Sequence, residues 1–131
     1  MEISYIEALK AMEIFLDEYY SREKKDDICL LLSDISLDTF IEEKTADPAA
    51  WEDWEEAIES VKKDSKNKTL TEIESFAAMI AFVKAFGQRI NSQEIKELLL
   101  EILHEDVNNA SSLSKARLFW KQCLERVKIS E

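Results

Sequence analysis

Residues 4–35, SYIEALKAMEIFLDEYYSREKKDDICLLLSDI, align without a gap on residues 71–102, TEIESFAAMIAFVKAFGQRINSQEIKELLLEI, when the chain is shifted by 67. Ten of these 32 positions are identical, where ordinary composition gives about two by chance. Among the identities are Ile6/Ile73, Met12/Met79, Phe15/Phe82, Arg22/Arg89 and Ile28/Ile95. After one deletion in the following loop, Ala50/Ala116, Trp54/Trp120, Ile58/Leu124 and Val61/Val127 also align. An internal repeat of this kind sets the expected architecture before any single element is read.

Each half opens on the same helix-start signal, Ser4-x-x-Glu7 and Thr71-x-x-Glu74, which are capping boxes. Apolar residues then recur at helical spacing: Ile6, Leu9, Met12, Leu16 and Tyr19, echoed by Ile73, Phe76, Met79, Val83 and Phe86. The pattern predicts helices near 4–21 and 71–88, with Gly87 as a C-terminal cap of the second. Shorter helices are expected at about 26–35 and 92–104, the latter with Ser92 as N-cap. Asp47-Pro48 marks a third start, because proline lacks only an N–H that is unpaired at that position. That helix should run to about residue 61 or 63, with its copy at about 113–128. The expected fold is all-α, a tandem repeat of two three-helix units, 1–66 and 67–131. They should pack face to face about a pseudo-two-fold axis as a six-helix, bundle-like domain, since either unit alone buries too little surface.

Charge divides the halves where the core unites them. Residues 1–66 hold 19 Asp+Glu against 8 Lys+Arg, and residues 67–131 hold 9 of each, so the whole net charge of −11 sits in the first half. An acidic protein of this balance is not expected to bind nucleic acid or an anionic membrane directly, and it favours a basic partner. One Gly and one Pro are too few for a turn-rich strand fold. No apolar run approaches the roughly 20 residues of a membrane span, and MEISYIEALK lacks a signal peptide's basic start. A cytoplasmic location follows as the expectation, and with it two buried, reduced thiols at Cys29 and Cys123.

The helix DPAAWEDWEEAIESV concentrates the acid. At 100° per residue, Trp51, Trp54, Ile58 and Val61 fall within about 80° of one another. Glu52, Glu55, Glu56 and Glu59 share another side, with Asp53 at its margin, and the preceding loop adds Glu42, Glu43 and Asp47. A solvated helix face is the ordinary reading of such charge. Against it, the second half's counterpart, SKARLFWKQCLERV, keeps the apolar positions yet carries Lys115, Arg117, Lys121 and Arg126. Stacked carboxylates also destabilise an isolated helix through repulsion. Trp51 belongs either to the core or to the acidic face as an aromatic anchor.

Catalytic signals are sparse. Glu101-x-x-His104 has the spacing of one half of a di-iron helix motif, but the site needs two such motifs and the chain has one His. No Gly-rich phosphate loop and no nucleophile–base pattern is present. No catalytic residue, metal or cofactor is expected, and the chain reads as a binding protein rather than an enzyme.

The run EALKAMEIFLDEYYSREKKDDICLLLSDISL, followed by ADPAAWEDWEEAIE, resembles small all-helical immunity proteins of bacterial contact-dependent growth inhibition and related polymorphic toxin systems. The second half matches only through its core and lacks DPAAW, so the resemblance places the family's surface in the first half. It implies an immunity protein that binds and neutralises a cognate toxin C-terminal domain, in many such systems a nuclease with a basic groove. An acidic face of Glu42, Glu43, Asp47, Trp51, Glu52, Asp53, Glu55, Glu56 and Glu59 would occlude that groove. The alternative is an acidic adaptor or regulatory binding module that uses the same face without a toxin.

Overall fold

A computed structural model describes residues 2–23, 25–35, 48–62, 66, 68–108 and 115–129. Among them are six helices and one short strand pair: β1 (Ile3–Ser4), α1 (Tyr5–Glu23), α2 (Asp26–Ile35), α3 (Pro48–Val61), β2 (Thr69–Leu70), α4 (Glu72–Arg89), α5 (Gln93–Asn108) and α6 (Lys115–Ile129). The all-α class is as expected. The two-residue strands are not in the sequence reading. They pair antiparallel, Ile3 against Leu70, positions 67 apart in the chain. Both residues are buried, so the pair closes one end of the core.

The capping boxes form as their spacing requires. Ser4 N donates to Glu7 Oε1 at 2.8 Å and Glu7 N to Ser4 Oγ at 3.1 Å. Thr71 and Glu74 repeat the exchange at 2.9 and 3.1 Å. Two donors left over by each helix start are thereby satisfied within the first turn.

Apolar periodicity becomes a shared core through an exchange of helices. The first helix of each half packs chiefly on the third helix of the other: α1 lies against α6, and α3 against α4. Aromatic rings lock both contacts. Trp54 on α3 meets Phe82 on α4 edge-on, with centroids 5.8 Å apart, and Trp120 on α6 meets Phe15 on α1 at 5.8 Å in the same manner. Both indoles are buried, and each finds an acceptor. Trp54 Nε1 donates to the carbonyl of Tyr5 at 3.0 Å. Trp120 Nε1 donates to Ser75 Oγ at 2.9 Å, and that hydroxyl donates on to the carbonyl of Glu72, which aligns with Tyr5. Ala8 aligns with Ser75, so the first half has no hydroxyl to interpose.

The second helices meet at their N-termini. Asp27 N donates to Glu94 Oε2 at 2.9 Å, so the carboxylate of one half caps the helix of the other. Ser92 Oγ donates to Asp27 Oδ2 and accepts from Ile95 N at 3.1 Å, which confirms Ser92 as a cap. Asp27 and Glu94 are themselves 67 positions apart.

Two expectations need correction. Gly87 does not terminate α4, which runs on to Arg89 and is capped at Ile90. Asn91 takes the left-handed turn, with φ 52°, while Asn91 N donates to the Gln88 carbonyl and Ser92 N to the Gly87 carbonyl. That is a Schellman arrangement with asparagine where glycine is commoner. Gly87 serves packing instead: a Cβ there would stand 2.5 Å from Ile95 Cγ2. Cys29 is the second correction. It is exposed, as is its neighbour Leu30, because α2 turns only Ile28, Leu31 and Ile35 fully inward. Cys123 is buried, and loss of solvation pushes its thiol up to about 12.

Candidate partner-binding face

Helix α3 sorts its side chains as the wheel predicts. Trp54 and Ile58 are buried, Trp51 and Val61 lie half-buried against the core, and Glu52, Glu55, Glu56 and Glu59 are exposed. Spacings of three, one and three residues put these four carboxylates on one face over two turns of helix. None of the four has a cation partner among the described residues. All four are exposed to solvent.

Asp53 belongs elsewhere. Its carboxylate accepts from Arg89 Nη1 at 2.6 Å, and the same guanidinium stands 5.7 Å from the centre of the Phe86 ring. Asp53 thus ties α3 to α4 and is removed from the free acidic set. Trp51, partly covered by the core, fits the packing role better than that of a projecting anchor. Glu42, Glu43 and Asp47 lie outside the described residues. Of the nine expected face residues, the structure brings together four exposed glutamates, one paired aspartate and one half-buried tryptophan.

Position by position, α6 clarifies what the fold asks of this face. Leu118, Lys121, Gln122 and Glu125 occupy the sites of Glu52, Glu55, Glu56 and Glu59. Only Lys121 directly reverses a carboxylate. Lys115, Arg117 and Arg126 stand at the places of Ala49, Trp51 and Ser60. Leu118, Gln122 and Glu125 are exposed and Lys121 is half-buried, so the backbone accepts apolar, basic, neutral or acidic residues there.

Several surface acids that look equivalent in sequence are structurally engaged. Besides Glu94 at the α2 terminus, Glu97 Oε2 lies 3.4 Å from Lys25 Nζ, and Glu101 pairs with Arg22 at 4.0 Å. Glu7, buried, pairs with Lys128 Nζ at 3.0 Å, which also donates to the Glu2 carbonyl at 2.8 Å. Sequence reasoning missed these contacts because their partners are 65 or more positions away and helical period carries no such information.

No cluster of three or more potential metal-ligating side chains exists among the described residues. The His104 side chain lies outside them, so the Glu101-x-x-His104 spacing gains no geometry. No described helix is long and apolar enough to cross a membrane. Searches of family models, curated proteins and solved structures found no match to this chain.

Proposed function

We propose that residues 1–66 and 67–131 are two copies of one three-helix unit, and that the first copy binds a basic protein partner through the exposed face of α3. The reading takes the protein to be a cytoplasmic immunity protein and its partner to be a cognate bacterial toxin domain. A nuclease suits it best, because a groove that holds phosphates must be basic. No catalysis by this chain is part of the proposal. Inhibition is by occlusion: four glutamates enter the groove in place of the nucleic acid and speed the encounter by electrostatic steering.

One observation carries the proposal. Glu52, Glu55, Glu56 and Glu59 form a single exposed face, without a cation partner among the described residues, on a helix whose counterpart α6 holds the same buried positions but a different residue at three of these four outer ones. The resemblance of residues 7–60 to immunity proteins supplies the toxin. The test is co-expression with the product of the adjacent gene. The expected result is a tight one-to-one complex and rescue of growth from that product's toxicity. A non-toxic neighbour, or a toxic one that neither binds nor is neutralised, overturns the toxin reading. Binding to an unlinked basic protein through the same face would leave the adaptor in its place.

A further inference from the structure

Open grooves lie along the helix pairs α1/α2 and α4/α5, and five aligned positions line both of them. Glu13, Asp17, Cys29 and Ser33 line the first. At the same positions in the second stand Ile80, Lys84, Lys96 and Leu100. At these four positions two acids, a thiol and a hydroxyl stand where the second groove has two aliphatic side chains and two lysines; Lys10, Ile14, Leu32 and Val127 complete the first groove. The apolar surface is exposed: Leu100 is 61% accessible and Leu103 44%. The fold does not demand these leucines, since Ser33 and Ser36 hold the aligned positions in the first half. Lys84 and Lys96 have no acidic partner among the described residues.

We propose that the α4–α5 groove is a second docking surface, and that its occupant is an acidic amphipathic α-helix of a protein partner. The groove encloses about 390 Å³. Its α5 wall runs from Ser92 to Leu103, which at 1.5 Å per residue is about 16 Å, or three turns of a docked helix. Gly87 keeps the floor low where the two helices approach, and its counterpart in the first half is Tyr20. A third helix laid between two neighbours packs ridges into such a groove. Its apolar stripe covers Ile80, Leu99, Leu100 and Leu103. Its carboxylates lie beside Lys84 on one wall and Lys96 on the other, and that charge pattern selects an acidic helix over a basic one. The surface is independent of the α3 face and opposite to it in charge, so the protein can hold two partners of opposite sign.

The test titrates the whole protein, with methyl groups observed by NMR, using a stapled helical peptide of about 18 residues that carries one leucine stripe flanked by glutamates. A matched peptide with lysine for every glutamate, and sodium laurate, are titrated in parallel. The acidic peptide is expected to shift Ile80, Leu99, Leu100 and Leu103 saturably, with the lysine peptide and laurate leaving them in place. Leu100→Ser, the residue the first half carries, and Lys84→Glu/Lys96→Glu should each weaken the peptide about tenfold or more. The double charge variant should now accept the lysine peptide. Circular dichroism on each variant confirms that the fold is retained. Equal binding of both peptides, shifts elsewhere, or no saturation by about 1 mM overturns the proposal. Saturation by laurate alone would make the groove a lipid site, and concentration-dependent dimerisation abolished by Leu100→Ser would make the occupant a second copy. Either result also overturns it.

Discussion

Helices α3 and α6 hold matching residues on their inner sides, while three of the four aligned outer positions differ. Inside, Trp54 matches Trp120, Ile58 matches Leu124, and each indole closes against the phenylalanine of the opposite half. Outside, four glutamates face Leu118, Lys121, Gln122 and Glu125. A solvent-facing position that tolerates all of these is not set by folding. The grooves beside α1 and α4 diverge at aligned positions too, with Glu13 and Asp17 in one half where Ile80 and Lys84 stand in the other. Burial preserves residues because packing density punishes a change of even one methylene. Exposure leaves charge and polarity to whatever the surface must meet.

The largest effects should come from breaking what the halves share. Trp54→Ala and Trp120→Ala should each cost about 3–5 kcal/mol in urea denaturation, as for other buried aromatic truncations. Both also remove an indole N–H, and the Ser75 hydroxyl that accepts from Trp120 is itself buried. A loss from one and none from the other would mean that the two halves are not equivalent in the core. Gly87→Ala comes next. Its new Cβ would meet the β-branched carbon of Ile95, and overpacking of this kind costs about 1–3 kcal/mol. Tyr20→Ala, at the aligned and half-buried position, creates no such clash and should cost less; a larger loss there would reverse the packing difference between the grooves.

Much of this was legible in the chain. The capping boxes, the Asp47-Pro48 start and the apolar period placed all six helices to within a few residues, because these signals are local and each satisfies its own backbone. Period also separated Trp54 and Ile58 from the glutamates on α3. It could not say which helix covers which, so the packing of α3 on α4 and α6 on α1 came only from the structure. The ion pair of Asp53 with Arg89 and the cap that Glu94 gives to α2 were hidden for the same reason. Cys29 escapes the sequence pattern because Ile28 through Leu32 is a continuous apolar run, and a run without period does not reveal which members turn outward. Gly87 near a helix end suggested a terminus, yet Asn91 served that purpose and left the glycine to close packing.

A smaller effect separates the grooves by pH. Burial, reinforced by the charge of Asp17, raises the Glu13 carboxyl above its usual range. A carboxyl raised in the folded state binds its proton more tightly there, so stability from this group is present at low pH and lost as pH climbs through the raised value. Glu13→Gln should therefore raise the melting temperature slightly at about pH 7 and leave it unchanged at about pH 4. A gain of equal size at both would assign the effect to shape rather than charge.

The face of α3 is tested most directly by association rates. Glu52, Glu55, Glu56 and Glu59 are reversed to lysine in one variant; in another, Glu2, Asp17, Glu18 and Glu125 are reversed, which are exposed and equal in charge change. Matching the net charge matters because a long-range field alone alters encounter rates. Stopped-flow binding to the adjacent gene's product is measured at low and high salt, with helicity checked by circular dichroism. The α3 variant should keep its helicity and associate about tenfold or more slowly, and the parent should lose most of its advantage as salt screens the face within about 10 Å at 0.1 M. The other variant should slow by only the smaller amount that the shared change in net charge imposes. Equal rates for the two reversed proteins would contradict the account and leave α3's glutamates as solvated charge.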